Sequence, residues 1–402
     1  MSVFIIITLF ILIGIFLFFH IGDAFSPWMI TCTVWAGILI LFLLSGDFLY
    51  PLGSRLYNSI LIWVPGFVIS SLLTYYALPS INYDYRQDFS INDKVYLFFF
   101  AISMVFTPLY IYQIVKIVMM FGTHDLLYNL RILAVSGEGD SMSSILKYVN
   151  GINQAMLIVT MWKYPHIKKS TLLLIVLANI FCSLAIMEKT SIFFLLLVTL
   201  FVLYEKKKIH LRMIIIWGII LLIAFYGFNG LRQSESDETE MTFIDFFSIY
   251  VLSPSVAYER VQENLSSQYG NHTFAFIYAF LNKTGLAKCY VETKLQAFVW
   301  VPLPTNVYTV FQPFYEDFGY PGIAFFSTLY GIISGSAYRL MKNGNKLCMC
   351  IYIYIAECLV LQFYQENLLI SMSLLIQYVV VIGLIVQNVV SFQWTPQKRS
   401  VK

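Results

Sequence analysis

The sequence predicts an all-α polytopic integral membrane protein, on two observations. Hydrophobic residues make up 59% of its 402 residues and charged residues only 12%, against about 45–50% and roughly 25% in soluble domains. So few charges cannot coat a water-facing surface, and the chain needs lipid as a second solvent. Apolar runs approaching the roughly 20 residues that cross a hydrocarbon core also recur from one end to the other. That recurrence predicts one membrane-embedded domain over residues 1–402 rather than an anchored soluble one.

About eleven transmembrane helices are expected. The first two runs are 3–21 and 28–44. No Lys or Arg precedes the first and no small-residue cleavage site follows it, so it is expected to stay as a span and not be removed as a signal peptide. Runs 57–78 and 95–121 come next, joined by a loop of mixed charge. Run 145–162 is the most polar, interrupted by Lys147, Asn150, Asn153 and Gln154. Runs 172–187 and 192–204 are short. At 1.5 Å per residue they reach about 24 and 20 Å, less than a core of about 30 Å, so the Glu188-Lys189 turn between them is expected to be recessed. Run 213–228 precedes a long polar segment, 229–319, and 320–338, 348–363 and 368–386 complete the set.

Orientation follows from Lys and Arg in short loops, which favour the cytoplasm. Lys163, Lys168 and Lys169 follow the fifth run, Lys206, Lys207, Lys208 and Arg212 the seventh, and Arg339, Lys342 and Lys346 the ninth; Lys398, Arg399 and Lys402 end the chain. All four clusters fall on one side of an eleven-span count. The N-terminus, the 124–144 loop and the 229–319 segment are then outside and the C-terminus is cytoplasmic.

The outer segment reads as a folded helical cap. It begins acidic, with Glu235, Asp237, Glu238 and Glu240. Thr242 and Asp245 match a capping box, and Ser253-Pro254 a second helix start. Trp300, Pro302 and Pro304 mark an irregular stretch.

Polar groups at membrane depth are costly and therefore candidates for function. Lys189 is either a phosphate contact or half of a local ion pair. Arg232, at the start of the outer segment, offers a planar fork suited to phosphate oxygens, or snorkels to the headgroups; Arg131 carries the same ambiguity. Glu366 lies in a short outer connection, where partial drying would raise its pKa and suit a general base; its alternative is a solvated loop acid. His272 stands in Gly-Asn-His-Thr and is either structural or a base. Asp317-Phe-Gly spells a kinase tripeptide, but no glycine-rich or catalytic loop accompanies it. The six cysteines make no zinc-type pair, and no nucleotide fingerprint is present. No cofactor, metal or nucleic-acid partner is expected.

The run Pro304-Thr-Asn-Val-Tyr-Thr309 resembles the characteristic stretch of the Wzy-type O-antigen polymerases, the oligosaccharide repeat unit polymerases. Tyr250 with Ser253-Pro254, Asp317-Phe-Gly, Gly331, Lys189, Arg232, His272 and Glu366 fit the same pattern, all in the C-terminal part. The resemblance implies a GT-C-like enzyme of the bacterial inner membrane with 229–319 as a large periplasmic loop. It would join undecaprenyl-pyrophosphate-linked oligosaccharide units into polysaccharide and release undecaprenyl pyrophosphate. Partners implied are the lipid-linked oligosaccharide, membrane lipid, a chain-length regulator and a flippase. In such chemistry Arg232, Lys189 and Arg131 would hold pyrophosphate. Glu366, then His272, would serve as base. Asn306 and Tyr308 would bond sugar hydroxyls or hold the loop, with Trp300 or Phe311 beneath a ring. An O-antigen ligase or a lipid-linked oligosaccharide flippase are the alternatives.

Overall fold

A computed structural model describes residues 1–45, 49–81, 89–119, 146–186, 189–230, 248–261, 269–291, 296–302 and 304–386. A helix covers part of every expected span: α1 (Ser2–Phe18), α2 (Pro27–Leu44), α3 (Ser54–Ala77), α4 (Asp93–Val118), α5 (Val149–Lys163), α6 (Lys169–Ala185), α7 (Lys189–Glu205) and α8 (Leu211–Gly230). After the outer segment, with its short α9 (Ser253–Tyr258) and α10 (Ala275–Thr284), come α11 (Gln312–Lys342), α12 (Lys346–Val360) and α13 (Met372–Val386). Among the described residues the one sheet is an antiparallel pair of two-residue strands, β1 (Val299–Trp300) and β2 (Pro304–Thr305). Among the described residues four helices are long and apolar enough to cross a membrane: α2, α3, α4 and α12 with its terminal turn to Phe363; α1, α6, α13 and parts of α7 and α8 are shorter apolar helices.

Two helix starts differ from expectation for local reasons. Helix α11 begins at Gln312, not near 320, because a first segment folds before Gly319 and the helix then kinks there (φ 64°). Glycine takes this left-handed conformation without a Cβ clash, and Pro321 has no N–H to carry the hydrogen-bond ladder across the bend. Helix α13 begins at Met372, and the connection before it is irregular. The helix start expected at Thr242 lies outside the described residues, whereas that at Ser253 is found, with Pro254 in the first turn.

Small residues let α3 and α11 approach closely, as is common where helices pack in lipid. A Cβ on Gly331 would stand 1.9 Å from Ser70 Oγ and 2.5 Å from the Phe67 carbonyl; one on Gly335 would stand 2.3 Å from the Ser71 carbonyl. Two of the polar residues that interrupt the fifth apolar run, Asn153 and Gln154, face inward. Asn153 Oδ1 accepts from Ser103 at 2.5 Å and its Nδ2 donates to Thr107 at 2.8 Å, while Gln154 accepts from Tyr378 at 2.5 Å. Each such bond offsets the cost of a polar side chain away from water.

The helix ends sort into two sets by their contacts. Lys342 Nζ meets Asp23 at 2.7 Å and Glu205 at 2.8 Å. Lys206 Nζ donates to the carbonyls of Met161, Trp162 and Tyr164; Arg339 donates to Leu78 O, and the Asn92 N–H to Ile385 O. These groups gather at the end that carries the basic clusters. At the other end Arg55 donates to the Tyr258 and Val261 carbonyls, Glu259 accepts from the Leu56 N–H at 2.8 Å, and the Val310 N–H donates to Gln362 O at 2.8 Å. Alternating crossings would produce this sorting.

Candidate functional site

At that second end α10, the first turns of α11 and residues 370–376 line a half-open cavity of about 500 Å³. Its walls are mostly apolar, with Phe276, Phe280, Pro313, Ile370 and Ile376 among them, while His272, Lys283, Gln296 and Gln312 bring polar groups.

His272 is set by the segment of α11 ahead of the kink. Gly270, at φ +67°, turns the chain where a side chain would strike the Phe274 ring. Asp317 then accepts from the backbone N–H groups of His272 (3.3 Å) and Thr273 (2.7 Å), and the Thr273 hydroxyl donates to Pro313 O. The neighbouring carboxylate, Glu316, faces the imidazole, with Oε2 3.4 Å from Nδ1 and both side chains 16% exposed. That is ion-pair distance without hydrogen-bond alignment, and Nδ1 is buried with no hydrogen-bond partner among the described residues. Gln312, one turn before Glu316, donates to Glu316 Oε2 and to Gln296 Oε1, both at 2.9 Å.

Glu366 is 1% exposed, not a solvated loop acid. Oε1 accepts from the Tyr330 hydroxyl (2.5 Å) and the N–H groups of Leu368 (2.6 Å) and Leu369 (2.8 Å); Oε2 accepts from Ile370 (2.9 Å). Burial lifts its carboxyl above the ordinary value while these four donors oppose the shift. An ionised carboxylate offers about four lone-pair sites, and here four donors are already placed on them. Through Ile370, Glu366 fixes one wall of the cavity.

The Pro304–Thr309 run is a partly buried strap. Thr305 and Thr309 are buried, and the Tyr308 hydroxyl donates to Ala297 O at 2.9 Å; burial, with the charge of Glu316, pushes the Tyr308 phenol up to about 12. Tyr308 therefore holds the loop in this state. Asn306 is half-buried and its amide makes no hydrogen bond to the described residues. Trp300 is 66% exposed, its indole open as a platform. Phe311 cannot serve beneath a sugar: it is fully enclosed, stacked on Trp35 at 4.7 Å and edge-on to Trp63.

Of the three cations expected on pyrophosphate, Arg232 and Arg131 lie outside the described residues. Lys189 opens α7, its side chain likewise outside the description. Helices α6 and α7 have 17 residues each, about 26 Å at 1.5 Å rise, still short of the hydrocarbon core. The sequence reading missed Glu316, Gln312 and Lys283. The available signal was Glu316-Asp317, a carboxylate pair against the start of an apolar run.

Fold and site together define the class: a multi-pass helical membrane protein with an apolar, histidine-bearing cavity at one end. The chain is similar to an Escherichia coli (strain K12) protein named "Putative O-antigen polymerase", with 24% identity over 395 residues, covering 93% of this chain and 95% of that one. That similarity runs along nearly the whole chain, beyond the C-terminal part that carries the motif resemblance. No family model and no solved structure matches the chain.

Proposed function

We propose that this chain is an O-antigen polymerase that lengthens polysaccharide from undecaprenyl-pyrophosphate-linked repeat units. The observation that carries the reading is the end-to-end similarity to a relative of that name. A cavity apolar enough for lipid-linked substrate, with His272 and Lys283 on its walls, supports it. The enzyme would be a GT-C-like, multi-pass inner-membrane glycosyltransferase, with its N-terminus and the 229–319 segment periplasmic and its C-terminus cytoplasmic.

In this mechanism the acceptor sugar hydroxyl attacks the anomeric carbon of the growing chain. The bond from that carbon to the pyrophosphate oxygen breaks, and undecaprenyl pyrophosphate leaves with the electron pair. The hydroxyl proton passes to His272, a general base on the cavity wall. Glu366, saturated with donors, instead anchors the connection that leads into another part of the wall. Arg232, Lys189 and Arg131 would neutralise the leaving pyrophosphate, and Asn306 with Trp300 would meet the sugars. Apolar walls exclude water and favour transfer over hydrolysis.

Purified protein given lipid-linked repeat units should return a ladder of longer glycans. Transfer of finished glycan to lipid A core alone would mark a ligase, movement across the bilayer without elongation a flippase, and either would refute the proposal. Cells lacking the gene should carry single-repeat surface glycan.

A further inference from the structure

We infer that Glu316 is a positioning residue: it holds His272 as the Nδ1–H tautomer and leaves Nε2 as the nitrogen free to take the acceptor's proton. The inference rests on the reading of His272 as base. A neutral imidazole carries one donor and one acceptor nitrogen, and the partner of one decides the state of the other. Glu316 Oε2 is the carboxylate oxygen at Nδ1, 3.4 Å away.

Neighbouring residues divide the work. Asp317 takes the backbone N–H groups of His272 and Thr273 and so fixes where the ring begins. Glu316 meets the ring itself. Gln312 braces Glu316 Oε2 from one turn earlier and is joined in turn to Gln296, so hydrogen bonds run from Gln296 to Glu316, whose carboxylate then stands at ion-pair distance from His272 Nδ1. The last step is long and poorly aligned, as catalytic hydrogen bonds often are before substrate binds. An ordinary exposed ion pair would not be this enclosed, and the imidazole of this one lies on the cavity wall.

The test measures kcat and KM for elongation by the full-length protein, using lipid-linked repeat units extracted from membranes of a strain lacking the gene. His272→Gln should lower kcat by about 10²–10⁴-fold, the range of general-base catalysis. Glu316→Gln should lower kcat roughly tenfold or more with KM within about twofold, and Glu316→Asp should restore part of the loss. The double variant should be no slower than His272→Gln, because a residue that acts through His272 then has nothing to act on. Independent, multiplying losses would overturn the inference. Natural turnover in Glu316→Gln beside a crippled His272→Gln would overturn it and leave the base reading standing. Full turnover in His272→Gln would sink both. A second measurement needs no active variant: ¹³C shifts of labelled histidine in the natural protein, with the His272 signal assigned by its loss in His272→Gln. The Nδ1–H tautomer is expected, and the Nε2–H tautomer would refute the assignment.

Discussion

Glu366→Ala and Glu366→Gln separate an anchoring carboxylate from a catalytic one. Truncation to Ala strips the acceptor from Tyr330 and from three backbone N–H groups in a site that is 1% exposed. A buried donor without a partner costs about 1–3 kcal/mol, so even at the low end four donors amount to about 4 kcal/mol, a large part of a typical total of about 5–15 kcal/mol. Glutamine keeps a carbonyl for the three donors on Oε1 but turns an amide N–H toward the Ile370 N–H, a loss of about 1–3 kcal/mol. Glu366→Ala should therefore give little protein that survives detergent extraction. Glu366→Gln should fold with a lowered unfolding midpoint and still produce a glycan ladder. Natural stability in Glu366→Gln with elongation lost by about 10²-fold or more would refute the anchoring role and make Glu366 the base. The pH dependence has a definite sign. Burial raises the folded-state value above the reference of 4.5, so the folded protein holds this proton more tightly than the unfolded chain. The resulting stabilisation is complete below 4.5 and is lost as pH rises through the folded value. The stability of the natural protein relative to Glu366→Gln should fall over that window, and a rise would contradict it.

Other expectations follow from single contacts. Gly331→Leu drives a Cβ against Ser70 and the Phe67 carbonyl; it should cost about 1–3 kcal/mol or more by thermal unfolding, whereas Gly14→Leu, with nothing within 4 Å, should be silent. Lys342→Met removes the ammonium that pairs with Glu205, whose side chain is 3% exposed; it should cost about 3–5 kcal/mol, partly recovered by adding Glu205→Gln. Tyr308→Phe should lower stability by about 1 kcal/mol and leave KM unchanged, while Asn306→Ala should raise KM for the lipid-linked unit with the fold intact. A raised KM in Tyr308→Phe would return Tyr308 to the sugar-binding group.

Apolar run length placed a helix at each expected position because burial in lipid leaves the backbone no alternative to internal hydrogen bonding. The same signal misplaced the start of α11, since hydropathy registers the charges of Glu316 and Asp317 but not the left-handed Gly319 behind them. Asn153 and Gln154 weakened the fifth run as a span for the reason that they strengthen it as structure: their amides bind the facing helices. For the site, a local motif marks residue types and misses convergence. The conspicuous run Pro304–Thr309 spends its Tyr308 hydroxyl on its own loop, and the conspicuous acid Glu366 spends its carboxylate on backbone. Glu316 drew no notice beside a misleading Asp317-Phe-Gly tripeptide. Yet these two adjacent carboxylates hold both the backbone and the ring of His272, more than forty residues earlier in the chain. The α11 kink makes that possible. By ending the first segment at Gly319, it lets two joined segments divide the work: Gly331 and Gly335 of the second seal the α3 seam, and Gln312 and Pro313 of the first furnish part of the cavity wall.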